Sequence, residues 1–264
     1  FFIIFFMLFT LSGFIIGLLI GLTGVGGGSL MTPLLMLFFK VPAAIAVGTD
    51  LLYAAITKSV GIFKHQKLGH IEWPIVKDLM TGSVPAAILT SLFLSFNLVQ
   101  EGNMTSFIEV FLGIALIVTS VAIFFQPLII NKSLKRPSLS EKKRKSITII
   151  LGIILGFIVT LTSVGAGAIG VTMLLILYPK LPIKKIIGTD IAHAVPLTLI
   201  SGIGHASIGT VDLELLIVLL VGSIPGVWLG AKLNAKANDE WIRLLLVIIL
   251  FGIALKLLGN HINV

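Results

Sequence analysis

The sequence LTGVGGGS at residues 22–29 interrupts a long apolar stretch, and a related sequence, LTSVGAGA, does the same at residues 161–168. A proline and then Gly-Thr-Asp follow each interruption, at 42 and 48–50 in the first half and at 182 and 188–190 in the second. The copies are offset by 139 residues at the interruption and by 140 from the proline onward, because one residue is inserted. Later pairs keep this offset: His65/His205, Gly69/Gly209, Gly82-Ser83/Gly222-Ser223 and Pro85/Pro225. The chain is therefore an internal duplication with one broken apolar segment near the start of each half.

The composition indicates a membrane protein. Of the 264 residues, 57% are hydrophobic and only 11% are charged, whereas soluble domains carry about 25% charged residues. Several stretches of roughly 20 residues carry few or no charges, which is enough to cross a hydrocarbon core of about 30 Å. Residues 1–8, FFIIFFML, lack a basic leader region and a small-residue cleavage site, so we interpret them as part of a span. We therefore predict an all-α, multi-pass integral membrane protein without a separate soluble domain.

The charge distribution excludes several classes of function. The net charge of +8 does not indicate a nucleic-acid partner, because many of the 19 basic residues lie in one loop. They are Lys132, Lys135, Arg136, Lys142, Lys143, Arg144 and Lys145. In a membrane protein such a loop mainly reports orientation. The chain has no cysteine, so disulfides and cysteine-ligated metals are excluded, and we expect no cofactor and no metal.

Apolar runs between polar or Pro/Gly breaks predict five helical pieces in each half. In the first half they cover about 1–22, 29–39, 43–64, 74–96 and 105–125. In the second half they cover about 146–162, 168–179, 183–205, 213–234 and 239–258. The second piece of each half is too short to span, since 12 residues rise only about 18 Å.

Charged loops predict the orientation of these pieces. Placing the basic 127–145 segment in the cytoplasm puts the 64–77 loop there too, with its three lysines. If the broken segment of the second half enters and leaves on the same side, Lys180, Lys184 and Lys185 are also cytoplasmic. One re-entrant hairpin plus three crossings is an odd number, so we predict two homologous halves of inverted topology. Lys40 is an exception, since it falls outside together with both termini.

The predicted division of the chain follows from this orientation. Residues 1–126 form the first repeat, 127–145 a basic cytoplasmic linker loop, and 146–264 the second repeat.

The broken segments are predicted to bind an anion. A helix that ends inside a bilayer leaves N–H and C=O groups without partners, so such a break persists only in protein or beside a polar cavity. The helix that starts after the break presents free N–H donors and a positive dipole end, which suit an anion. Close helix packing is the alternative use of the glycines. The predicted binding residues at the breaks are Thr23, Gly24, Gly26, Gly27, Gly28 and Ser29, and Thr162, Ser163, Gly165 and Gly167.

The repeated Gly-Thr-Asp adds a second group of candidates. Asp50 and Asp190 fall about two turns into helices, where a buried carboxylate pairs, binds an ion or carries protons. We predict that they couple transport to a proton or to Na⁺; a structural cap on the broken helices is the alternative. Further candidates for substrate contact on these helices are Thr49, Tyr53, Thr189 and His193. A packing role is the alternative for His193. Lys58 could reach an anion, but we expect its ammonium to extend to the cytoplasmic surface instead.

These motifs resemble those of a known family. The break LTGVGGGS, the Gly-Thr-Asp with its preceding proline, the K-H-x-x-x-G at residues 64–69 and the G-S-x-P at residues 82–85 resemble the TauE/SafE sulfite-exporter family. The resemblance covers nearly the whole chain and implies membrane transport of sulfur-containing anions such as sulfite, sulfonates and sulfoacetate. The second half departs from the first at Ser163, Ala166 and Ala168, so the two breaks are chemically unequal.

The function hypothesis combines these points. The chain is expected to be a secondary transporter, not an enzyme, that binds a small sulfur-containing anion at mid-membrane and alternates its access. No ATPase motif is present, so an ion gradient, the membrane potential or the substrate's own gradient must drive it. An anion channel is the alternative, and an intramembrane aspartyl hydrolase using Asp50 and Asp190 is a weaker one. The resemblance implies a prokaryotic inner membrane, and the many small residues on helices would permit a homodimer. The anion, the direction and the coupling ion are left open.

Overall fold

The computed structural model describes residues 2–23, 28–97, 101–133, 139–233 and 239–262, and this part of the chain contains ten helices and no strand. The first half contains α1 (Phe2–Thr23), α2 (Gly28–Phe39), α3 (Ala43–Lys67), α4 (Trp73–Asn97) and α5 (Glu101–Ser133). The second half contains α6 (Glu141–Thr162), α7 (Ala168–Leu177), α8 (Ile183–Ser207), α9 (Leu213–Leu233) and α10 (Asp239–Ile262). The prediction of an all-α protein with five helices on either side of the linker is confirmed.

The helices have the lengths and surfaces of a membrane protein. Within the described residues, six helices are long and apolar enough to cross a membrane: α3, α4, α5, α6, α8 and α9. The short helices α2 and α7 rise only about 15–18 Å and cannot cross. Large apolar side chains are exposed along the outer surface, including Phe96 at 79% and Val60 at 69%. In water, exposure of these side chains would be unfavourable. In a bilayer it is not, because lipid tails are as apolar as the side chains.

The helices around the basic segment are longer than predicted. Helix α5 continues to Ser133, and α6 already begins at Glu141, so both extend into the 127–145 segment that we predicted as a loop. The sequence EKKRK at residues 141–145 contains neither proline nor glycine. Lysine, arginine and glutamate are good helix formers in water, so the start of α6 can be helical beyond the membrane.

The broken segments fold back as hairpins. The Thr148 and Tyr178 hydroxyl oxygens lie 2.8 Å apart, which joins the start of α6 to the end of α7. In the first half, the rings of Phe9 and Phe39 stack with centroids 4.1 Å apart and join α1 to the end of α2. Each hairpin therefore returns to the end of the molecule from which it started. In the second half, the tip of the hairpin is the glycine-rich break between α6 and α7.

Each hairpin packs against the other half of the chain. Helix α1 lies on α9, and the equivalent helix α6 lies on α4. A Cβ atom added to Gly17 would lie 2.4 Å from the Ser223 carbonyl oxygen, and one added to Gly156 would lie 2.4 Å from the equivalent Ser83 oxygen. Only glycine permits this approach of two backbones. The halves are thus interlocked.

Helices α3 and α8 cross at the centre and run in opposite directions. The backbone of Gly48, near the start of α3, lies against His205, near the end of α8. The backbone of Gly188, near the start of α8, lies against His65, near the end of α3. These two equivalent helices are therefore antiparallel.

The three segments predicted to be cytoplasmic lie at one end of the molecule. Lys185 Nζ lies 2.6 Å from Glu72 Oε1, and the Glu72 N–H donates to Thr189 Oγ1 at 3.0 Å. Lys145 Nζ lies 3.7 Å from Asp78 Oδ1. The basic residues around α3–α4, α6 and α7–α8 therefore share one end, as expected for loops on the same side of a membrane.

Candidate functional site

The carboxyl group of Asp50 is held by the first hairpin. Asp50 is fully buried in α3, and its Oδ2 accepts hydrogen bonds from the Thr32 hydroxyl at 2.6 Å and the Thr32 N–H at 3.2 Å. Thr32 lies in the first turns of α2, so the carboxylate lies near the N-terminal end of a broken helix, where the helix dipole is positive. The Ser163 hydroxyl of the second hairpin faces the same carboxyl group without reaching hydrogen-bond geometry. Asp50 therefore connects one hairpin to the tip of the other.

The second break is shaped by residues in left-handed conformations. Ser163 has φ 58°, Gly165 has φ 118° and Gly167 has φ 122°. The two glycine angles are disfavoured for any residue with a side chain. The Thr162 hydroxyl supports the turn by donating to the Ile158 carbonyl at 2.7 Å and accepting from the Val164 N–H at 3.1 Å. The glycines and Thr162 thus have a structural role in making the break.

Helix α7 starts directly after this break with free donors. The backbone bonds of its first turns begin with Gly170 N–H to Gly165 O at 3.2 Å and Val171 N–H to Gly167 O at 2.9 Å. Among the described residues, the N–H groups of Ala168 and Ile169 make no backbone hydrogen bond, and α7 has no side-chain cap. The N-terminus of α7 can therefore bind an anion.

Lys58 lies at the site, although the sequence favoured a surface position for its ammonium over contact with an anion. We expected its ammonium at the cytoplasmic surface, and this prediction is wrong: the residue is 8% exposed, and its Nζ donates to the Ala166 carbonyl oxygen at 3.0 Å. Helix α3 ends at Lys67 rather than near residue 64, so Lys58 lies deeper than predicted. The ammonium interacts with the charge of Asp190 and, more weakly, with that of Asp50. A buried cation therefore lies at the second hairpin tip.

Asp190 is buried against the second hairpin. A Cβ atom added to Gly170 would lie 2.0 Å from Asp190 Oδ1, so the carboxyl group rests on the bare backbone of α7. This oxygen has no hydrogen-bond partner among the described residues, unlike the well-bonded Oδ2 of Asp50. The two Gly-Thr-Asp copies therefore place equivalent carboxylates in different environments.

The two carboxylates do not form a pair. Residue 48 of α3 lies beside residue 205 of α8, and residue 65 of α3 lies beside residue 188 of α8. In this antiparallel alignment, Asp190 of α8 lies beside residue 63 of α3. Asp50 is then about 20 Å away along the helix axis at about 1.5 Å per residue. Lys58 lies near the midpoint of this separation. An aspartyl hydrolase needs adjacent carboxyl groups, so this geometry argues against that alternative.

Tyr53 and His193 occupy equivalent positions and contact equivalent serines. His193 Nε2 lies 2.9 Å from Ser83 Oγ, and the Tyr53 hydroxyl faces Ser223. Both aromatic residues are fully buried. In each G-S-x-P the glycine permits close helix packing while the serine contacts the aromatic residue. His193 thus bonds to Ser83 through one ring nitrogen, while its Nδ1 has no partner among the described residues. Its predicted contact with substrate stays a prediction, with packing as the alternative.

Thr49 and Thr189 have structural partners. Thr49 Oγ1 accepts from the Asp212 N–H, and Thr189 Oγ1 accepts from the Glu72 N–H, both at 3.0 Å. The loops before α9 and α4 are thereby anchored to the central helices. Nothing in these contacts brings either threonine to a break, and their predicted role in substrate binding stays a prediction.

Several buried polar atoms close to the two central helices lack hydrogen-bond partners in the described part of the chain. They are Asp50 Oδ1, Tyr53 OH, Ser163 Oγ, Thr172 Oγ1, Asp190 Oδ1 and His193 Nδ1. A buried polar group without a partner costs about 1–3 kcal/mol. Each of these atoms is therefore available for a hydrogen bond with water or with a polar ligand.

The first break cannot be described in the same detail. The predicted residues Gly24, Gly26 and Gly27 lie outside the described residues, and for Thr23, Gly28 and Ser29 only the helical backbone is described.

Comparison with known proteins agrees with this architecture. The family model described as "Sulfite exporter TauE/SafE" matches residues 9–257, which is nearly the whole chain. The chain belongs to the TauE/SafE sulfite exporter family. The resemblance seen in the sequence is thereby confirmed, and the protein is a multi-pass membrane protein of a transporter family.

Relatives in bacteria and archaea carry corresponding names. The chain is 38% identical over 256 residues to "Probable membrane transporter protein YjnA" of Bacillus subtilis, covering 94% of this chain and 98% of that protein. It is 30% identical to "Probable membrane transporter protein YdhB" of the same organism, over 86% of this chain and 89% of that protein. It is 28% identical to "Probable membrane transporter protein MJ0441" of Methanocaldococcus jannaschii, over 92% and 91%. No solved structure matches the chain.

Proposed function

We propose that this TauE/SafE family member is a secondary transporter of a small sulfur-containing anion of the sulfite, sulfonate or sulfoacetate class. The observation that carries the proposal is the second hairpin tip. There, the first N–H groups of α7 and the Ser163 hydroxyl, which have no partner in the described part of the chain, lie at the same break as the buried ammonium of Lys58. The family supports the sulfur-containing class of substrate.

The donors at this tip suit an oxyanion head group. A sulfonate or sulfite offers oxygen acceptors in a compact pyramid, which several separate N–H and O–H donors can contact together. The N–H groups of Ala168 and Ile169 lie at the positive end of α7. The Ser163 and Thr172 hydroxyls supply further donors. Among the described residues no arginine is buried, so binding depends on neutral donors and one lysine.

Alternating access would follow from the duplication. Opposite directions of the equivalent helices α3 and α8 support inverted repeats, in which the two hairpins exchange roles when the site opens to the other side. A coupling proton or Na⁺ would act through Asp50 and Asp190. Each carboxylate contacts a hairpin, so a change in its charge would alter the stability of that hairpin.

Thermal unfolding of the purified protein in detergent tests the proposal. The panel contains sulfite, sulfoacetate, taurine, thiosulfate, sulfate, acetate and chloride at equal ionic strength. At about 100 times its dissociation constant, a ligand that binds only the folded state stabilises it by about 2.7 kcal/mol. We expect sulfonates or sulfite to raise the unfolding temperature of the wild type.

Two variants locate the binding site. Ser163→Ala should reduce the sulfonate-induced shift, whereas Ser207→Ala should not, since Ser207 is exposed and its hydroxyl donates to the Gly204 carbonyl of its own helix. Equal sulfonate-induced shifts of the unfolding temperature in both variants would show that the second hairpin tip is not part of the binding site. No shift from any sulfur-containing anion would refute the substrate class. Counterflow in proteoliposomes separates a carrier from the channel alternative, because a channel shows no counterflow.

A further inference from the structure

The ammonium of Lys58 is placed where membrane carriers hold a cation. It lies 3.0 Å from the Ala166 carbonyl oxygen, which the second break has released from regular helical bonding. It is also attracted by the Asp190 and Asp50 carboxylates. Unwound backbone carbonyls coordinate Na⁺ in carriers with discontinuous helices, and buried carboxylates in membrane spans mark ion pathways.

The cation belongs to one half only. The residue equivalent to Lys58 is Thr198, whose hydroxyl donates to the Ala194 carbonyl of its own helix at 2.9 Å. Thr198 is also buried, at 1% exposed. The duplicated carboxylates therefore share a single buried positive charge.

Charge balance gives this lysine a definite role. Among the described residues that carry a formal charge, Asp50, Asp190 and Lys58 are the buried ones. In their ionised forms the three sum to one negative charge, and without the ammonium they would sum to two. Uncompensated charge inside a membrane is costly, so removal of the ammonium favours either protonation of a carboxylate or entry of another cation.

We propose that Lys58 serves as a tethered cation in the ion site of this transporter, so that the protein needs no Na⁺. Loss of the ammonium leaves the Ala166 carbonyl and the Asp190 carboxylate as a site for Na⁺. The inference rests on the proposed function, because it concerns the ion that accompanies transport at the same site. The coupling ion was left open above between a proton and Na⁺. This inference excludes Na⁺ from the transport cycle of the wild type.

The test compares unfolding temperatures in sodium chloride and in choline chloride at equal ionic strength, so that the anion is constant. The variants are Lys58→Ala and Lys58→Gln, and the matched control is Thr198→Ala. We expect the wild type and the control to unfold at the same temperature in both salts. We expect each Lys58 variant to be less stable in choline and to gain about 3–6 °C when Na⁺ reaches about ten times its dissociation constant.

Lys58→Gln keeps the proposal testable if the alanine variant does not fold. Its amide can still donate to the Ala166 carbonyl and fills most of the volume, while the charge is lost. Indifference of every folded Lys58 variant to Na⁺ would overturn the proposal. An equally large effect of Na⁺ on the unfolding temperature of the wild type would also overturn it. So would a requirement for Na⁺ in substrate uptake by the wild type in proteoliposomes, a measurement that needs no variant.

The sulfonate shift of the wild type, measured on the same preparation, separates this inference from the proposed function. A sulfonate shift together with Na⁺-indifferent variants refutes the tethered cation alone. Na⁺-dependent variants without any sulfonate shift support the cation site and refute the assigned anion.

Discussion

Replacement of Thr32 by valine should destabilise the protein much more than the same replacement of Thr172. Both threonines are buried in the short helix of a hairpin, at 0% and 5% exposed. The Thr32 hydroxyl donates to Asp50 Oδ2 at 2.6 Å, whereas the Thr172 hydroxyl has no partner among the described residues. Valine keeps the shape of threonine, so each substitution removes mainly the hydroxyl. The difference between the variants therefore measures the bond to the carboxylate.

The expected magnitude follows from the type of bond. Hydrogen bonds to charged groups contribute about 1.5–3 kcal/mol in soluble proteins, but interhelical bonds in membranes average about 0.6 kcal/mol with a maximum of about 1.7. The short distance and the charged acceptor place Thr32 near the upper membrane value, at about 1.5 kcal/mol. Thr172→Val should cost about 0 kcal/mol or be stabilising, because an unpartnered hydroxyl is removed from the interior.

Thermal unfolding in detergent measures the difference. At about 2–4 °C per kcal/mol, Thr32→Val should lower the unfolding temperature by about 3–6 °C, and Thr172→Val should leave it unchanged or raise it. Thr32→Ser is the control, since it retains the donor. The reasoning is refuted if Thr32→Val is as stable as Thr172→Val, or if Thr32→Ser is the less stable of the two Thr32 variants. In the presence of a bound sulfonate, Thr172→Val should instead show the smaller ligand-induced shift.

Three further predictions concern the helix contacts, the break and the surface. Gly82→Ala should lower the free energy of unfolding by about 1–3 kcal/mol or more, because the new Cβ would lie 2.1 Å from a backbone oxygen of α6. Gly252→Ala is the control and should not destabilise the protein, since no atom lies within 4 Å of the added Cβ. Chemical unfolding of the two variants measures the difference. Gly167→Ala should lower the unfolding temperature and abolish the sulfonate-induced shift, because φ 122° costs alanine about 1–3 kcal/mol of strain. An unchanged sulfonate-induced shift would show that the break binds the anion equally well with a different backbone conformation at residue 167. Lys185→Gln should change stability by only about 0.2–1 kcal/mol, because its ion pair is 38% and 29% exposed, and the loss should shrink in high salt.

The repeated motifs were sufficient to predict the elements of the fold. The glycine-rich breaks predicted two short helices, and both α2 and α7 are found at the expected places. The ends of α5 and α6 were less predictable, because lysine-rich sequence can be helix or loop in water. The offset of 140 residues also pairs Tyr53 with His193. Their contacts with Ser223 and Ser83 show that the pairing holds in three dimensions.

The site was only partly predictable, because its contacts join distant segments. The carboxylates were found from the sequence, since charged residues in apolar helices are conspicuous. The bond of Lys58 to the Ala166 carbonyl was not, because it depends on how far the second hairpin tip reaches into the other half. One signal was present: the equivalent position of the second half is an uncharged threonine, Thr198. A charge in only one copy of a duplicated span indicates a function that packing alone does not require.

The interlocked packing of the hairpins determines when the protein can complete its assembly during synthesis. The glycines of α1 fit against the backbone of α9, as Gly17 does against Ser223. The ribosome reaches α9 about 200 residues after α1, roughly 10–40 s later at about 5–20 residues per second. Throughout this time the first hairpin has entered the membrane without its partner, with glycine-rich backbone facing lipid. A chaperone or the insertion machinery itself would be needed to shield it, and a chain truncated before α9 should be degraded rather than accumulate as half a transporter.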